Sequence, residues 1–216
     1  VKAAIEINTD VDPKQAVSKH LDWPLLDTAI QQCNKCVLHK TRKQVLSGKG
    51  SQSAELMFVL LSPGMDDDSD LLSAEANELL SKMLSEINLS IDEVYITSLL
   101  KCGVPAQHTV SPFEIQKCNA YLKQQIKLIQ PKLVVVLGAT ATRCLLQQDS
   151  ALDEFRQQIN IDTPADAAAV TRFESVPLFV SYSPQDLLQQ PENKRKARLD
   201  LPQLPKLTEH HSPIER

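Results

Sequence analysis

Leu133-Val134-Val135-Val136-Leu137 is an unbroken apolar run between Pro131 and Gly138. A strand with one wet face alternates apolar and polar side chains, whereas strands buried on both faces are continuously apolar, and those belong to parallel sheets. Three other stretches read as strands: Leu56-Met57-Phe58-Val59-Leu60-Leu61 before the turn Ser62-Pro63-Gly64, Val94-Tyr95-Ile96-Thr97-Ser98-Leu99, and Val176-Pro177-Leu178-Phe179-Val180-Ser181. Helical sequence separates them. Leu72, Ala76, Leu79, Met83 and Ile87 recur at three or four residues. Ser111-Pro112-Phe113-Glu114 reads as a capping box with proline at the first helical position, and Gly138-Ala139-Thr140-Ala141-Thr142 turns into a further helix. Four strands joined by helical crossovers predict an α/β fold, a three-layer α/β/α sandwich around a central four-stranded parallel sheet. Ligands of such sheets sit at the carboxyl ends of the strands, which directs attention to residues 61–70, 98–105, 138–143 and 181–188.

Outward from that centre the organisation is simple. Asp22 is an N-cap for a helix carrying Trp23, Pro24, Leu25, Leu26, Ala29 and Ile30. Residues 1–21 are expected to be an N-terminal arm with some helix near 13–20, residues 22–201 one domain, and residues 202–216, with Pro202, Pro205 and Pro213, a C-terminal tail. Residues 149–175 are expected to be a surface excursion. Trp23 is either a core anchor or a partner-facing residue. With 42% hydrophobic but only 4% aromatic residues, the core must come from Leu, Val, Ile and Ala. No run reaches the roughly 18 apolar residues of a membrane span, and the first 30 residues have no signal-peptide apolar region, so a cytoplasmic protein is expected. Val1 is not preceded by methionine, so the chain is expected to be a fragment. A net charge of −4 argues against a protein that wraps nucleic acid with a basic face. Two local clusters, Lys40, Arg42 and Lys43, and Lys194, Arg195, Lys196 and Arg198, are either solvated faces or nucleic-acid contacts.

Four cysteines form a second pattern. Cys33 and Cys36 make a C-x2-C pair flanked by polar Gln31, Gln32, Asn34 and Lys35, unlike core cysteines, and Cys102 and Cys118 have fifteen residues between them. Four thiolates suit a [4Fe-4S] cluster or a structural zinc. Zinc ribbons use two close pairs, and the spread second pair favours iron–sulfur. Cys144, in Arg143-Cys144-Leu145-Leu146, reads as a small buried hydrophobe outside the set. An odd cysteine count fits a reducing compartment better than a disulfide framework.

Over residues 22–201 the chain resembles the iron–sulfur, family 4 branch of the uracil-DNA glycosylase superfamily. The resemblance rests on the cysteine spacing, Cys36-Val37-Leu38 followed by Arg42 and Val45, Pro63-Gly64, Tyr95-Ile96-Thr97 with Lys101-Cys102, Leu137-Gly138-Ala139-Thr140-Ala141, and Tyr182, Pro184, Leu187 and Leu188. It implies a site that flips uracil from the stack, reads its edge, stacks it on an aromatic and stabilises charge during cleavage. By the same resemblance Leu61 stands where a catalytic acid is expected, Ser98 where a base-reading asparagine is, and Ser183 where a histidine is. The stacking phenylalanine is missing between Asp70 and Ser73. The resemblance therefore implies no catalytic residue and no enzyme. The alternative is an active or weakly active uracil-DNA glycosylase of base-excision repair with its acid moved to Asp66, Asp67 or Asp68, a tract that otherwise reads as a solvated loop.

Leu56 to Thr97, and Ser183-Pro184-Gln185-Asp186-Leu187-Leu188 through Ala197, are also similar to psi-type subunits of bacterial DNA polymerase III. That likeness implies a non-catalytic adaptor in DNA replication. It would bind the chi subunit and the gamma and tau clamp-loader subunits, contact single-stranded-DNA-binding protein only indirectly, bind DNA weakly or not at all, and sit in a nucleoid-associated replisome. The face holding Leu61, Ser62, Ser98, Ser183 and Gln185 is then expected to dock protein.

Overall fold

The computed structural model describes residues 22–64, 70–160 and 171–209. In chain order it forms α1 (Trp23–Gln31), a 3-10 turn (Val37–Lys40), β1 (Lys49–Gly50), β2 (Leu56–Leu60), α2 (Ala74–Ser85), β3 (Tyr95–Ser98) and α3 (Pro112–Ile129). Then come β4 (Leu133–Leu137), α4 (Ala139–Leu146), α5 (Leu152–Ile159), β5 (Arg172–Phe173) and β6 (Val176–Ser181). The described chain closes with α6 (Pro184–Gln189), a 3-10 turn (Pro191–Asn193), α7 (Lys194–Asp200) and α8 (Gln203–Glu209). No helix among the described residues is long and apolar enough to cross a membrane.

The sheet runs β1-β3-β2-β4-β6-β5. Its inner four strands are parallel, with Phe58 opposite both Ile96 and Val135, and Val135 opposite Phe179. The predicted four-stranded parallel sheet is thus present. Two antiparallel edge strands of two residues each extend it, Lys49 facing Ile96 and Arg172 facing Pro177, too short to leave a periodic signature. Every residue of β2 and β4 is buried, and their side chains alternate between two cores. Met57, Val59, Val134 and Val136 pack with Leu26 and Ile30 of α1, Leu122 and Ile126 of α3, and Leu145 of α4. Leu56, Phe58, Leu133 and Val135 pack with Ala76, Leu80 and Leu84 of α2 and Leu204 of α8. Those are the three layers.

Local signals set the helix ends. Ser111 Oγ accepts the Glu114 N–H at 3.3 Å and Glu114 Oε2 accepts the Ser111 N–H at 2.8 Å, closing the expected capping box. The α2 helix begins only after Ser73, whose Oγ accepts the Ala76 N–H, and Asn88 in the left-handed region follows its end. Trp23 is half-buried with its ring centroid 5.5 Å from that of Tyr95, which makes it an anchor for α1.

Two expectations need correction. The stretch read as a surface excursion contains α5, which sinks Leu152, Phe155 and Ile159 into the core from one helical face. The proline-marked stretch read as a tail remains packed as far as α8, where Leu204 and Thr208 are buried, because Pro205 falls in that helix's first turn, which needs no intrahelical donor. The arm at 1–21, residues 161–170 and the end of the chain from residue 210 lie outside the described residues.

Phe155 has no exposed surface. Its replacement by alanine should lower unfolding free energy by about 3–5 kcal/mol in chemical denaturation. A loss below about 1 kcal/mol, the size expected of a surface residue, would contradict the placement of α5.

Candidate functional site

At the carboxyl ends of β2, β4 and β6 a cavity of about 370 Å³ opens, walled by Leu61, Ser62, Gly138, Ala139, Thr140, Leu152, Tyr182, Ser183, Gln185 and Asp186. Its shape depends on Gly138. The φ of 95° there disfavours any side chain, and a Cβ would stand 3.0 Å from Asp186 Oδ2. The chain can therefore turn from β4 into α4 directly against α6. Ser183 is the N-cap of α6, its Oγ accepting the Asp186 N–H at 3.1 Å while its own N–H donates to Asp186 Oδ2 at 3.3 Å. The pairing places a carboxylate on the cavity wall.

Of the three positions where the resemblance expected an acid, an amide and an imidazole, Leu61 and Ser183 line this cavity and Ser98 does not. Ser98 is fully buried, its hydroxyl donating to the Leu100 carbonyl at 2.7 Å. Ser62 and Gln185 are in the wall as expected. Asp66, Asp67 and Asp68 lie outside the described residues. Sequence reasoning missed Asp186, although Ser-x-x-Asp before an apolar pair is a capping-box signature.

Behind the cavity a polar network fixes Tyr182. Its hydroxyl donates to Asp153 Oδ1 at 2.5 Å, and Arg156 Nη1 donates to the same oxygen at 2.8 Å. Arg156 also grips Asp200 through Nε and Nη2 at 3.0 and 2.6 Å, and Ser181 Oγ donates to Asp200 Oδ2 at 2.6 Å. The guanidinium lies 5.2 Å from the Tyr182 ring centroid, and Lys196 pairs with Asp153. Burial favours the neutral Asp153 carboxyl, but hydrogen bonds from Lys196, Tyr182 and Arg156 outweigh it and hold the pKa down at about 2.

The four cysteines surround a second site. Cys33 and Cys36 are half-buried, Cys102 and Cys118 buried, and all four line one pocket with Ile30, Leu38, Leu100, Tyr121, Arg42 and Lys101. Cys144 is not among its walls. The Lys101 amide donates to Cys118 Sγ at 3.2 Å and Arg42 Nη1 to Cys102 Sγ at 3.5 Å. Burial raises the Cys36 thiol and pushes Cys118 up to about 11. The buried Lys101 ammonium donates to Thr97 Oγ1, the Ser98 carbonyl and Gln125 Oε1 at 2.6–2.7 Å, and burial brings its pKa down to about 7. Among the described residues no three His, Cys, Asp or Glu side chains converge to hold a single metal ion. Four thiol side chains line this one pocket, two of the sulfurs receiving N–H groups, a donor set suited to metal–thiolate bonding.

The basic residues read as nucleic-acid contacts divide. Arg42 turns inward to Cys102, whereas Lys196 and Arg198 stay exposed and pair with Asp153 and, at 2.5 Å, with Glu86 at the C-cap of α2. Lys40, Lys43, Lys194 and Arg195 are exposed.

Comparison with known proteins adds a lineage. The profile of the uracil DNA glycosylase superfamily matches residues 47–202. The type-4 uracil-DNA glycosylase of Archaeoglobus fulgidus is 40% identical over 116 residues, 53% of this chain and 58% of that protein. Those of Saccharolobus solfataricus and Pyrobaculum aerophilum are 35% and 32% identical over 127 and 129 residues, covering 57% and 59% of this chain and 59% and 66% of theirs. The matched stretch thus spans about three fifths of these relatives. Five relatives carrying that enzyme's name overturn the expectation of a non-catalytic psi-type clamp-loader adaptor and of a chain that is no enzyme. The chi, gamma and tau partners rested on that likeness alone. The physical reason for the error is that lost groups were counted at Leu61, Ser98 and Ser183, while the carboxylate of Asp186, which the fold sets beside Leu61 and Ser183 in the cavity wall, was not.

Because the Asp153 pKa is depressed in the folded chain, its contribution to stability is present above about pH 4 and lost as pH falls toward about 2. Denaturation midpoints measured across that window should fall more steeply for the wild type than for Asp153→Asn. Parallel profiles would remove Asp153 from the network.

Proposed function

We propose a function from one premise: the chain belongs to the uracil DNA glycosylase superfamily. It excises uracil from DNA, slowly, in the cavity at the carboxyl ends of β2, β4 and β6. The observation that carries this reading is a cavity of about 370 Å³ at the ligand-binding end of the sheet with the Asp186 carboxylate in its wall. The names of the relatives support the substrate.

The chemistry follows from those groups. A base extruded from the stack enters between the apolar walls Leu61 and Leu152 and meets the polar side chains of Ser62, Thr140 and Gln185. As the bond between sugar and base breaks, the sugar becomes cationic and the uracil anionic. Asp186 faces the developing positive charge and orients the water that attacks it. The N–H groups that open α4, at Ala139 and Thr140, lack intrahelical acceptors and meet the negative charge. An imidazole at position 183 is replaced by the capping hydroxyl, and the loss of such a donor costs about 10²–10³ in rate. The enzyme is slow for that reason.

The four cysteines Cys33, Cys36, Cys102 and Cys118 hold a [4Fe-4S] cluster, supported by their shared pocket and by a spacing that resembles the iron–sulfur branch of the superfamily. When bound, the cluster supplies iron–thiolate bonds that tie the segment after α1 to the loop after β3 and to α3. Its role is structural.

Uracil-containing single-stranded DNA incubated with excess protein should yield alkali-sensitive product above the protein-free control. Asp186→Asn, which keeps an acceptor for the Ser183 amide, should lower that rate by about 10²–10⁴. Absence of product from the wild type would overturn the proposal. Anaerobically purified protein should carry about four irons and absorb broadly near 400 nm, both lost in Cys118→Ala. Stoichiometric zinc without iron would reject the cluster.

A further inference from the structure

We infer that Arg42 is a cluster-holding residue, a guanidinium strut between Cys102 and the segment that carries Cys33 and Cys36, and not a contact for DNA. The inference rests on the reading that the four cysteines bind a [4Fe-4S] cluster.

Sequence alone placed Arg42 in a basic patch with Lys40 and Lys43. The structure separates it from that patch. Arg42 Nη1 donates to Cys102 Sγ at 3.5 Å and Nη2 donates to the Gln31 carbonyl at 2.9 Å, just before Cys33. The Gln31 side chain in turn donates to the Val45 carbonyl at 3.1 Å, and Val45 forms an antiparallel bridge with Cys102. The Leu46 amide donates to the Lys101 carbonyl at 3.0 Å. Gln31, Arg42, Val45 and Cys102 therefore close a ring of hydrogen bonds around the junction of the two cysteine-bearing segments.

The chemistry of the ligand explains why arginine occupies this place. A cluster with four thiolates carries net negative charge, which is costly against Ile30, Leu38 and Leu100 unless donors or cations face it. The Cys102 thiol stands in for the ligating thiolate, and Arg42 brings it a charged donor, which strengthens the hydrogen bond. Lysine keeps the charge but not the planar fork, so it has no second arm for the Gln31 carbonyl at the fixed angle. Donors just outside the ligand shell typically change metal affinity 10–100-fold.

The test compares wild type, Arg42→Gln, Arg42→Lys and Lys40→Gln, all purified anaerobically. Iron per chain, the rate of absorbance loss near 400 nm on exposure to air and chelator, and single-stranded-DNA affinity at several salt concentrations are measured. Arg42→Gln should lose its absorbance about 10-fold faster than wild type, and Arg42→Lys should also be faster, by a smaller factor. The salt slope of DNA binding should be unchanged in both Arg42 variants. Wild-type bleaching in both, or a salt slope reduced by about one, would overturn the inference and return Arg42 to the DNA surface. Should Arg42→Gln fail to fold, Arg42→Lys decides by its bleaching rate. A wild type purified without iron rejects the cluster itself, and this inference with it, whereas iron-loaded variants indistinguishable from wild type reject only the role of Arg42.

Discussion

Burial of β2 and β4 on both faces is the constraint from which the rest of the structure follows. A strand with apolar side chains on both sides needs a covering layer on each, and parallel neighbours can be joined only by crossing over the sheet. The helices between the strands meet both demands. Because all four inner strands point the same way, their carboxyl ends come together on one rim, with the turns that follow β2, β4 and β6. The cavity is a consequence of topology. Gly138 and the Ser183–Asp186 cap then set its shape at close range.

The cysteine centre answers a different problem. The segment from Gln32 to Gly48 contains only a short 3-10 turn among its described elements, and it contributes few residues to the core beyond Leu38 and Val45. What joins it to α1, to α3 and to the loop after β3 is a set of specific bonds: Gln31 to Val45, Arg42 to Cys102, Leu46 to Lys101, and Gln125 to Ser47 at 2.6 Å. Four iron–thiolate bonds would add to that set where hydrophobic burial is scarce. Lys101 belongs to both sides of the join, its amide on Cys118 and its buried ammonium on the end of β3.

Much of this was legible in the sequence wherever the signal was local or continuous. The run 133–137, the Ser111 capping box and the C-x2-C pair each carry their physics in adjacent residues. The α5 helix was missed because Leu152, Phe155 and Ile159 stand among polar residues next to an alanine-rich stretch, and only their spacing of three and four betrays the buried face. The edge strands at 49–50 and 172–173 are too short for any period to appear. The directions of Ser98 and Arg42 could not be read at all, since each depends on an acceptor that the fold brings near. Asp186 was in plain view as the third residue after Ser183, yet the position was read for the histidine it lacks.

The central claim is that this cavity takes a base extruded from DNA. Backbone amide shifts followed by NMR during titration with a short single-stranded oligonucleotide containing one uracil test it most directly. The account predicts the largest changes at Ser62, Gly138, Thr140, Ser183 and Asp186, clearly reduced when thymine replaces uracil. Changes confined to Lys40, Lys43, Lys194 and Arg195, and equal for the two oligonucleotides, would show charge-driven contact with the backbone and contradict a base-binding site.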